Sequence, residues 1–359
     1  MPKYSFEKIA INSREKKKPL DSDKDHYLGL ENLDPGTFDV TRFNNEGTPK
    51  GEKLIMKKGD VLFGKRRAYQ RKVAIAPFDG IFSAHGMVLR PNEDVISKDF
   101  FPFFIRSKEF LDRAIAISVG SLSPTINWKD LAKLEFWLPD ISVQERAAQA
   151  LWALEETKKT YLSLTEKMDI LIKSRFVELV STAKGEIPLT KVANVLYGFP
   201  FDSSKFNSCG KGTMLIRIRD VNTGLSDTYT TEIADPKYIV KEGDCIAGMD
   251  GNFVAVKWTY SRAYLNQRCC KFTPIGVNKE FMLYFLKNHL CEIEEKAQST
   301  TVKHLSAHDI NKMNIPNVPI ALQKIFSEEA LLIDKLKFSI QVNSMSRRNG
   351  KLFRKRLDL

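Results

Sequence analysis

With 359 residues the chain exceeds one ordinary domain of roughly 100 to 200 residues, so two domains plus connecting elements are expected. Its 43% hydrophobic content, with 23 Phe, 10 Tyr and 4 Trp, excludes a disordered chain, which lacks such side chains. The 56 Lys and Arg against 44 Asp and Glu leave a net charge of +12, which favours a polyanionic partner, nucleic acid ahead of an anionic membrane surface.

The first residues, MPKYSFEKIAINSREKKK, lack the apolar stretch of a signal peptide, and no run approaches about 18 apolar residues. A soluble cytoplasmic protein without membrane contact is expected. Strand-like segments follow: VLFGK, KVAIAPF and GMVLRP. Between the first two lies a loop with Lys65, Arg66, Arg67, Arg71 and Lys72, five cations in eight residues, interleaved with Tyr69 and Gln70 and free of acids. Such a loop suits phosphate neutralisation, and Arg and Gln also pair bidentately with guanine and adenine edges; a solvated basic face is the competing reading. A short helix fits near residues 98–117, followed by a loop, 119–127, with Ser121, Ser123, Thr125 and Asn127. Hydroxyls and backbone N–H groups there suit phosphate contacts, or simply turn formation.

From Ser142 to Val180 there is no Pro or Gly, and apolar residues recur at Leu151, Leu154, Tyr161, Leu164, Met168, Leu171 and Ile172. Separations of three, four and seven make one helical stripe, on a helix of about 39 residues spanning roughly 58 Å. After a linker at 182–186, TMLIRIRDV reads as a strand on which Arg217 and Arg219 share the polar face, where DNA contact and plain sheet decoration are equally open readings. DCIAGM, FVAVKW and RCCKFTP read as further strands, and the stretch 250–268 supplies Asn252, Arg262, Tyr264, Asn266, Gln267 and Arg268, which suit base reading better than plain charge attraction. A helix near 279–297 precedes a loop with Ser299, Thr300, Thr301, Lys303 and His304, similar in composition to the loop at 119–127. A second long helix runs from about Ala321 to Ser346, with Ile325, Leu332, Ile333, Leu336 and Ile340 on its stripe, and Gly350 weakens its last turns. The narrow stripes favour packing of the two long helices as an antiparallel coiled coil over burial of each in its own domain. The basic tail at 347–356 suits DNA, a partner subunit or solvent.

The pattern is written twice. Gly59, Asp60 and Gly64 match Gly243, Asp244 and Gly248 at an offset of 184, and Asp130 and Gln144 match Asp309 and Gln323 at an offset of 179. Two ordered matches with nearly one offset point to duplication. The expected architecture is a mixed α+β fold: domain 1–140, long helix 141–182, domain 183–318 and long helix 319–359.

Chemistry is harder to find. There is no P-loop, no G-x-G-x-x-G after a strand, no G-x-S-x-G elbow, and no Asn-Pro-Pro-aromatic or Asp-Pro-Pro-Tyr segment of the kind found in adenine methyltransferases. His304 and His308 stand at i, i+4 without an intervening Glu or an evident third ligand, so no metal site is expected, and Glu294, Glu295 and Lys296 read as a solvated helix end rather than a nuclease motif. Five cysteines, without a C-x-x-C pair, read as reduced core thiols.

The stretches YGFPFDSSKFNSCGKGTMLIRIRDVNTG, KEGDCIAGMDGNF and YLNQRCCKFTP, and the Pro-then-Gln helix starts LPDISVQERAAQAL and VPIALQKIFSEEAL, resemble the specificity subunit of type I restriction-modification enzymes over essentially the whole chain. In the first half KKGDVLFGKRRAYQRKVAIAPFDGIFSAHGMVLRP is similarly family-like; the last helix departs in lacking an acid after Gln323. The resemblance implies two target-recognition domains, each reading one half of a split double-stranded DNA sequence, with the long helices as spacer. It also implies two docked modification subunits that carry S-adenosylmethionine and methylate adenine, restriction subunits that use ATP, and no cofactor or catalysis on this chain. A scaffold without a DNA role, and an enzyme fused to a recognition half, are the competing classes.

Overall fold

The computed structural model describes every residue except 44–46, 252, 261, 297–303 and 354–359, with backbone alone at 296 and 341–353. The chain forms two compact units, Met1–Lys159 and Thr160–Leu359. Among the described residues no helix is long and apolar enough to cross a membrane.

The strands of the first unit are β1 (Lys3–Ser5), β2 (Ala10–Ser13), β3 (Lys16–Lys17), β4 (Tyr27–Leu28), β5 (Lys53–Met56), β6 (Val61–Phe63), β7 (Val73–Ile75), β8 (Gly80–Phe82), β9 (Met87–Pro91) and β10 (Glu135–Trp137). Its helices are α1 (Phe6–Ile9), α2 (Phe101–Arg106), α3 (Lys108–Ala116), α4 (Trp128–Leu131) and α5 (Ile141–Ser181), the last continuing into the second unit. The single helix expected near 98–117 is thus two, because Ser107 leaves helical geometry (ψ 149°) and caps α3 by accepting from Phe110 N–H at 3.2 Å.

Sheet β2-β9-β6-β7 is the middle layer, between the helices and a second sheet, β3-β5-β8-β4. Alternation along β6 explains why its residues are apolar without a break: Val61 and Phe63 join a cluster with Phe6, Phe104 and Phe110 of the helices, while Leu62 joins Leu28, Leu54 and Phe82 of the second sheet. The phenyl rings pack densely, Phe6 tilted against Phe110 at 5.0 Å and Phe104 edge-on to Phe136 at 5.2 Å.

The second unit contains β11 (Glu186–Pro188), α6 (Leu189–Val192), β12 (Ala193–Tyr197), β13 (Phe206–Asn207), β14 (Thr213–Ile216), α7 (Ile218–Thr223), β15 (Tyr229–Thr230) and β16 (Ile239–Val240). It continues with β17 (Cys245–Gly248), β18 (Ala255–Lys257), β19 (Ala263–Leu265), β20 (Cys269–Pro274), α8 (Lys279–Lys296), α9 (Ala307–Asn311), β21 (Asn314–Pro316) and α10 (Ile320–Phe353). Its middle sheet, β12-β20-β17-β18, repeats the strand order of β2-β9-β6-β7. Val61 pairs with Leu89 as Cys245 pairs with Phe272, and Ala10 with Pro91 as Ala193 with Pro274. The outer sheets share a parallel pair flanked by an antiparallel strand: β4-β8 with β5, and β14-β19 with β16.

The repeated residues have repeated jobs. Gly59 (φ 92°) and Gly243 (φ 84°) take the left-handed conformation in the turn before β6 and β17, where a side chain is strained. Beside them Asp60 accepts from Lys57 N–H at 2.8 Å and Asp244 from Lys241 N–H at 2.9 Å. At the long-helix starts, Gln144 is fully buried; its amide donates to the Pro139 and Val95 carbonyls (2.8 and 3.1 Å), and its Oε1 accepts from Ser97 N–H at 2.9 Å. Gln323 donates to Val318 O and accepts from Asn278 N–H, both at 2.8 Å. Each glutamine ties the first turn of a long helix to the segment leading into α2 or α8.

The long helices answer the packing question in two parts. Up to Lys159, α5 belongs to its own domain: Trp152 packs on Phe103 at 4.8 Å, Glu155 pairs with Arg106, and Lys159 with Asp39 at 2.7 Å. In the second unit α5 runs antiparallel to α10, since Arg175 holds Glu329 through two bonds of 3.0 and 3.1 Å while Asp169 meets Lys337. Ile172 and Phe176 share a core with Phe326, Ala330 and Ile333, and the described contacts cover Met168–Val180 and Leu322–Lys337. Leu154, Leu164, Leu171, Ile325, Leu332 and Leu336, placed on the stripes by spacing, are exposed. The α10 backbone continues through Gly350 to Phe353, longer than expected. Of the five thiols, Cys245, Cys269 and Cys270 are buried as expected, but Cys209 and Cys291 are exposed.

Truncating Gln144 (Gln144→Ala) strands one buried donor and two acceptors. A stability loss of about 2 to 4 kcal/mol is expected in urea titration, whereas Glu145→Ala, at an exposed position one residue on, changes stability by less than about 0.5 kcal/mol.

Candidate nucleic-acid interface

In the first unit the β6–β7 loop, closed by Gly64 N–H donating to Lys72 O at 3.0 Å, stands beside the loop between α3 and α4. Arg66 and Thr125 form an isolated antiparallel bridge, Ile126 N–H donates to Lys65 O at 3.0 Å, and Arg67 N–H to Pro124 O at 2.7 Å. Arg67 (φ 53°) and Arg71 (φ 54°) flank the 3₁₀ turn Ala68–Gln70 in left-handed conformations, at a cost of order 1 kcal/mol each. Ala68 is buried beneath, which forces Tyr69, 54% exposed, outward.

The five cations do not act alike. Arg71 is held by Asp112, and Lys72 donates to Leu30 O at 2.6 Å, so both serve the fold. Lys65 is half-buried, and burial, then Lys16, pulls its pKa down. Arg66 and Arg67 remain exposed, without an ion pair among the described residues. Arg67 Nε lies 3.4 Å from Ser123 Oγ, and Arg66 Nη1 lies 3.3 Å from His85 Nε2. A guanidinium has no acceptor, so Nε2 accepts and the ring proton sits on Nδ1. Burial, then Arg66, Lys65 and Lys53, lowers the His85 pKa and keeps the ring neutral. Ser121 and Asn127 are exposed, the latter just before α4. The tip between them carries Leu122, 91% exposed, on a loop that Val119 and Thr125 close with two backbone bonds.

The second unit repeats this backbone. Asp250 and His304 form the bridge that Arg66 and Thr125 form in the first, and Leu305 N–H donates to Met249 O at 2.7 Å as Ile126 does to Lys65. Met249 N–H also donates to Arg268 O at 2.9 Å, in the β19–β20 turn. On this frame Asp250 gathers two side chains: Oδ1 accepts from His304 Nδ1, and Oδ2 lies 3.3 Å from Arg268 Nε. Gln267, Arg268 and Arg262 are exposed and Asn266 half-buried.

Two expectations need correction. Tyr264 is not at the surface: it is 6% exposed, packs on Phe201 at 5.0 Å, and donates its hydroxyl to Ala234 O at 3.1 Å. Arg217 and Arg219 do not alternate on a strand, because β14 ends at Ile216 and Asp220 caps a helical turn by accepting from Arg217 N–H at 2.8 Å. Arg219 is then held by Thr228 at 3.0 Å and Asp227 at 3.3 Å, and Arg217 lies over the Phe206 ring. Asn252, Ser299, Thr300, Thr301 and Lys303 lie outside the described residues. Sequence reading passed over His85, Asp250 and Leu122, although the offset of 184 sets Asp250 opposite Arg66.

Because Arg66 helps hold the His85 pKa down, Arg66→Ala raises it, which NMR titration of the imidazole protons measures; an unmoved or lowered midpoint contradicts the pairing.

A family model described as the type I restriction modification DNA specificity domain matches the chain twice, over residues 12–166 and 178–328. Over 145 residues the chain is 41% identical to the EcoBI specificity subunit of Escherichia coli, a match spanning 40% of this chain and 31% of that one. It is 21% identical over 345 residues to the putative MjaX specificity subunit of Methanocaldococcus jannaschii, covering 86% of this chain and 80% of that one. Among solved structures, the S subunit of a type I restriction-modification system from M. genitalium aligns with a TM-score of 0.59 at 17% identity, covering 96% of this chain and 92% of that one. A chain solved in work on complex assembly and conformational transition of a type I system aligns with a TM-score of 0.56 at 15% identity, covering 98% and 94%. These last two are likenesses of fold. With the family model matched once in each repeat and over most of its length, the chain belongs to the type I restriction modification DNA specificity family.

Proposed function

We propose that the chain is the DNA-recognition subunit of a type I restriction-modification complex and reads a bipartite double-stranded sequence, one half with each domain. The observation that carries this reading is the repeated loop cluster: the same backbone bridge, Arg66–Thr125 and Asp250–His304, presents exposed arginines beside it in both halves. Exposed arginines on a pinned backbone suit base edges, and surrounding cations add sequence-independent affinity. Methylation of adenine and cleavage then belong to modification and restriction subunits, which carry S-adenosylmethionine and ATP, and this chain binds neither. Exposed apolar side chains on the long helices of the second unit, Ile170, Leu171, Val177, Leu332 and Phe338, suit docking of the modification subunits.

Three experiments test the reading. The chain assembled with its modification subunits methylates adenine at a split sequence, and the chain alone methylates nothing; activity of the chain alone overturns it. Exchanging the first domain for that of another family member changes one half of the sequence, and the exchange point after Lys159 outperforms one after Asp140, because Gln144, Trp152, Glu155 and Lys159 all bond within the first unit. In titrations against salt, Arg67→Ala lowers the slope of log K by about 0.9 for a lost phosphate contact, and the Arg66→Ala, Arg67→Ala double variant binds more weakly still. A slope and affinity left untouched by both changes refute the assigned surface.

A further inference from the structure

Strand register sets the two interfaces in correspondence. His85 stands four residues before Leu89, and Arg268 four before Phe272, the equivalent strand positions. The two bridges make Arg66 the counterpart of Asp250. Each half therefore has one arginine and one acceptor at the same two places, but exchanged. In the first half the arginine rises from the β6–β7 loop and the acceptor, His85, from the β8–β9 turn, 3.3 Å apart. In the second the arginine rises from the β19–β20 turn and the acceptor, Asp250, from the β17–β18 loop, again 3.3 Å apart.

We propose that Arg66 and Arg268 are the counterpart guanine readers of the two half-sites, each aimed by the acceptor beside it. This rests on the reading of the chain as a DNA-recognition subunit. Guanine is the base whose major-groove edge offers two adjacent acceptors, N7 and O6, which match a guanidinium fork that only donates. A long exposed arginine loses rotamer freedom on docking, and a tether at one nitrogen removes part of that loss beforehand. Asp250 meets Arg268 at Nε, leaving both Nη groups without a protein partner among the described residues, and its second oxygen is held by His304. Neutral His85 takes only Nη1 of Arg66, leaving Nη2 and Nε. Asp250 and His85 are thus positioning residues.

The test is selection of duplexes from a randomised pool by the full chain assembled with its modification subunits, followed by sequencing of bound DNA. Arg268→Ala is expected to reduce preference for a guanine in one half-site by about 5- to 150-fold, and Arg66→Ala to do the same in the other half alone. Arg66→Lys and Arg268→Lys keep the charge and the surface but not the fork, so they lose the same discrimination with less loss of overall affinity. Asp250→Asn weakens discrimination at the base pair that Arg268→Ala affects, by a smaller factor, and Asp250→Glu recovers part of it. Weakening spread evenly over all positions, both arginines acting in one half-site, or Asp250→Asn acting at a different base pair overturns the proposal. A wild-type complex that selects a two-part motif unaltered by these variants overturns only the assignment of readers. A wild-type complex that selects no motif overturns the underlying reading, and this proposal with it.

Discussion

The constraint on which everything else rests is burial of the middle strand on both faces. Val61, Leu62 and Phe63 are at most 1% exposed, and Cys245, Ile246 and Ala247 likewise. A charge on such a strand faces a desolvation cost of several kcal/mol with no partner to offset it. Charges are therefore expelled to where the strand surfaces, in the loop after Phe63 or Gly248, which carries Arg66 in the first half and Asp250 in the second. The Gly-Asp turn fixes the opposite end of the strand, so the point at which the loop emerges is set before the loop has any sequence of its own.

The loops are then pinned by main-chain groups. The bridges at Arg66–Thr125 and Asp250–His304 use N–H and C=O, and so tolerate any side chain at those four places. That separation of frame from chemistry accounts for a cationic residue and an acidic one occupying the same position in two copies of one domain. Recognition chemistry can migrate between neighbouring loops without disturbing the core, whose contacts lie on the other side of the bridge.

Much of this was legible in the sequence, for identifiable reasons. The offsets of 184 and 179 are visible because Gly59, Asp60 and Gln144 do work no other residue does: a left-handed turn, a carboxylate closing it, and an amide that both donates and accepts. The cationic loop was visible as composition. Which of its members face out was not, because the partners of Arg71 and Lys72, Asp112 and Leu30, are about 40 residues away in the chain. Tyr264 and Arg219 were misplaced because alternation gives two faces but not which one is covered, and because a capping Asp220 is indistinguishable from a strand residue until the turn is seen. On the long helices apolar residues are so frequent that spacing permits several stripes; Leu171 and Ile172 are neighbours, and only the second meets α10.

The uneven placement of the thiols has a practical corollary. Burial pushes Cys245 and Cys269 up to about 12, and Cys270 well above the ordinary thiol range, so these three stay protonated and shielded from electrophiles. Cys209, before β14, and Cys291, on α8, are exposed. Maleimide dyes thus have two native attachment points, both on the second domain, and fluorescence can follow that half of the molecule without any engineered cysteine.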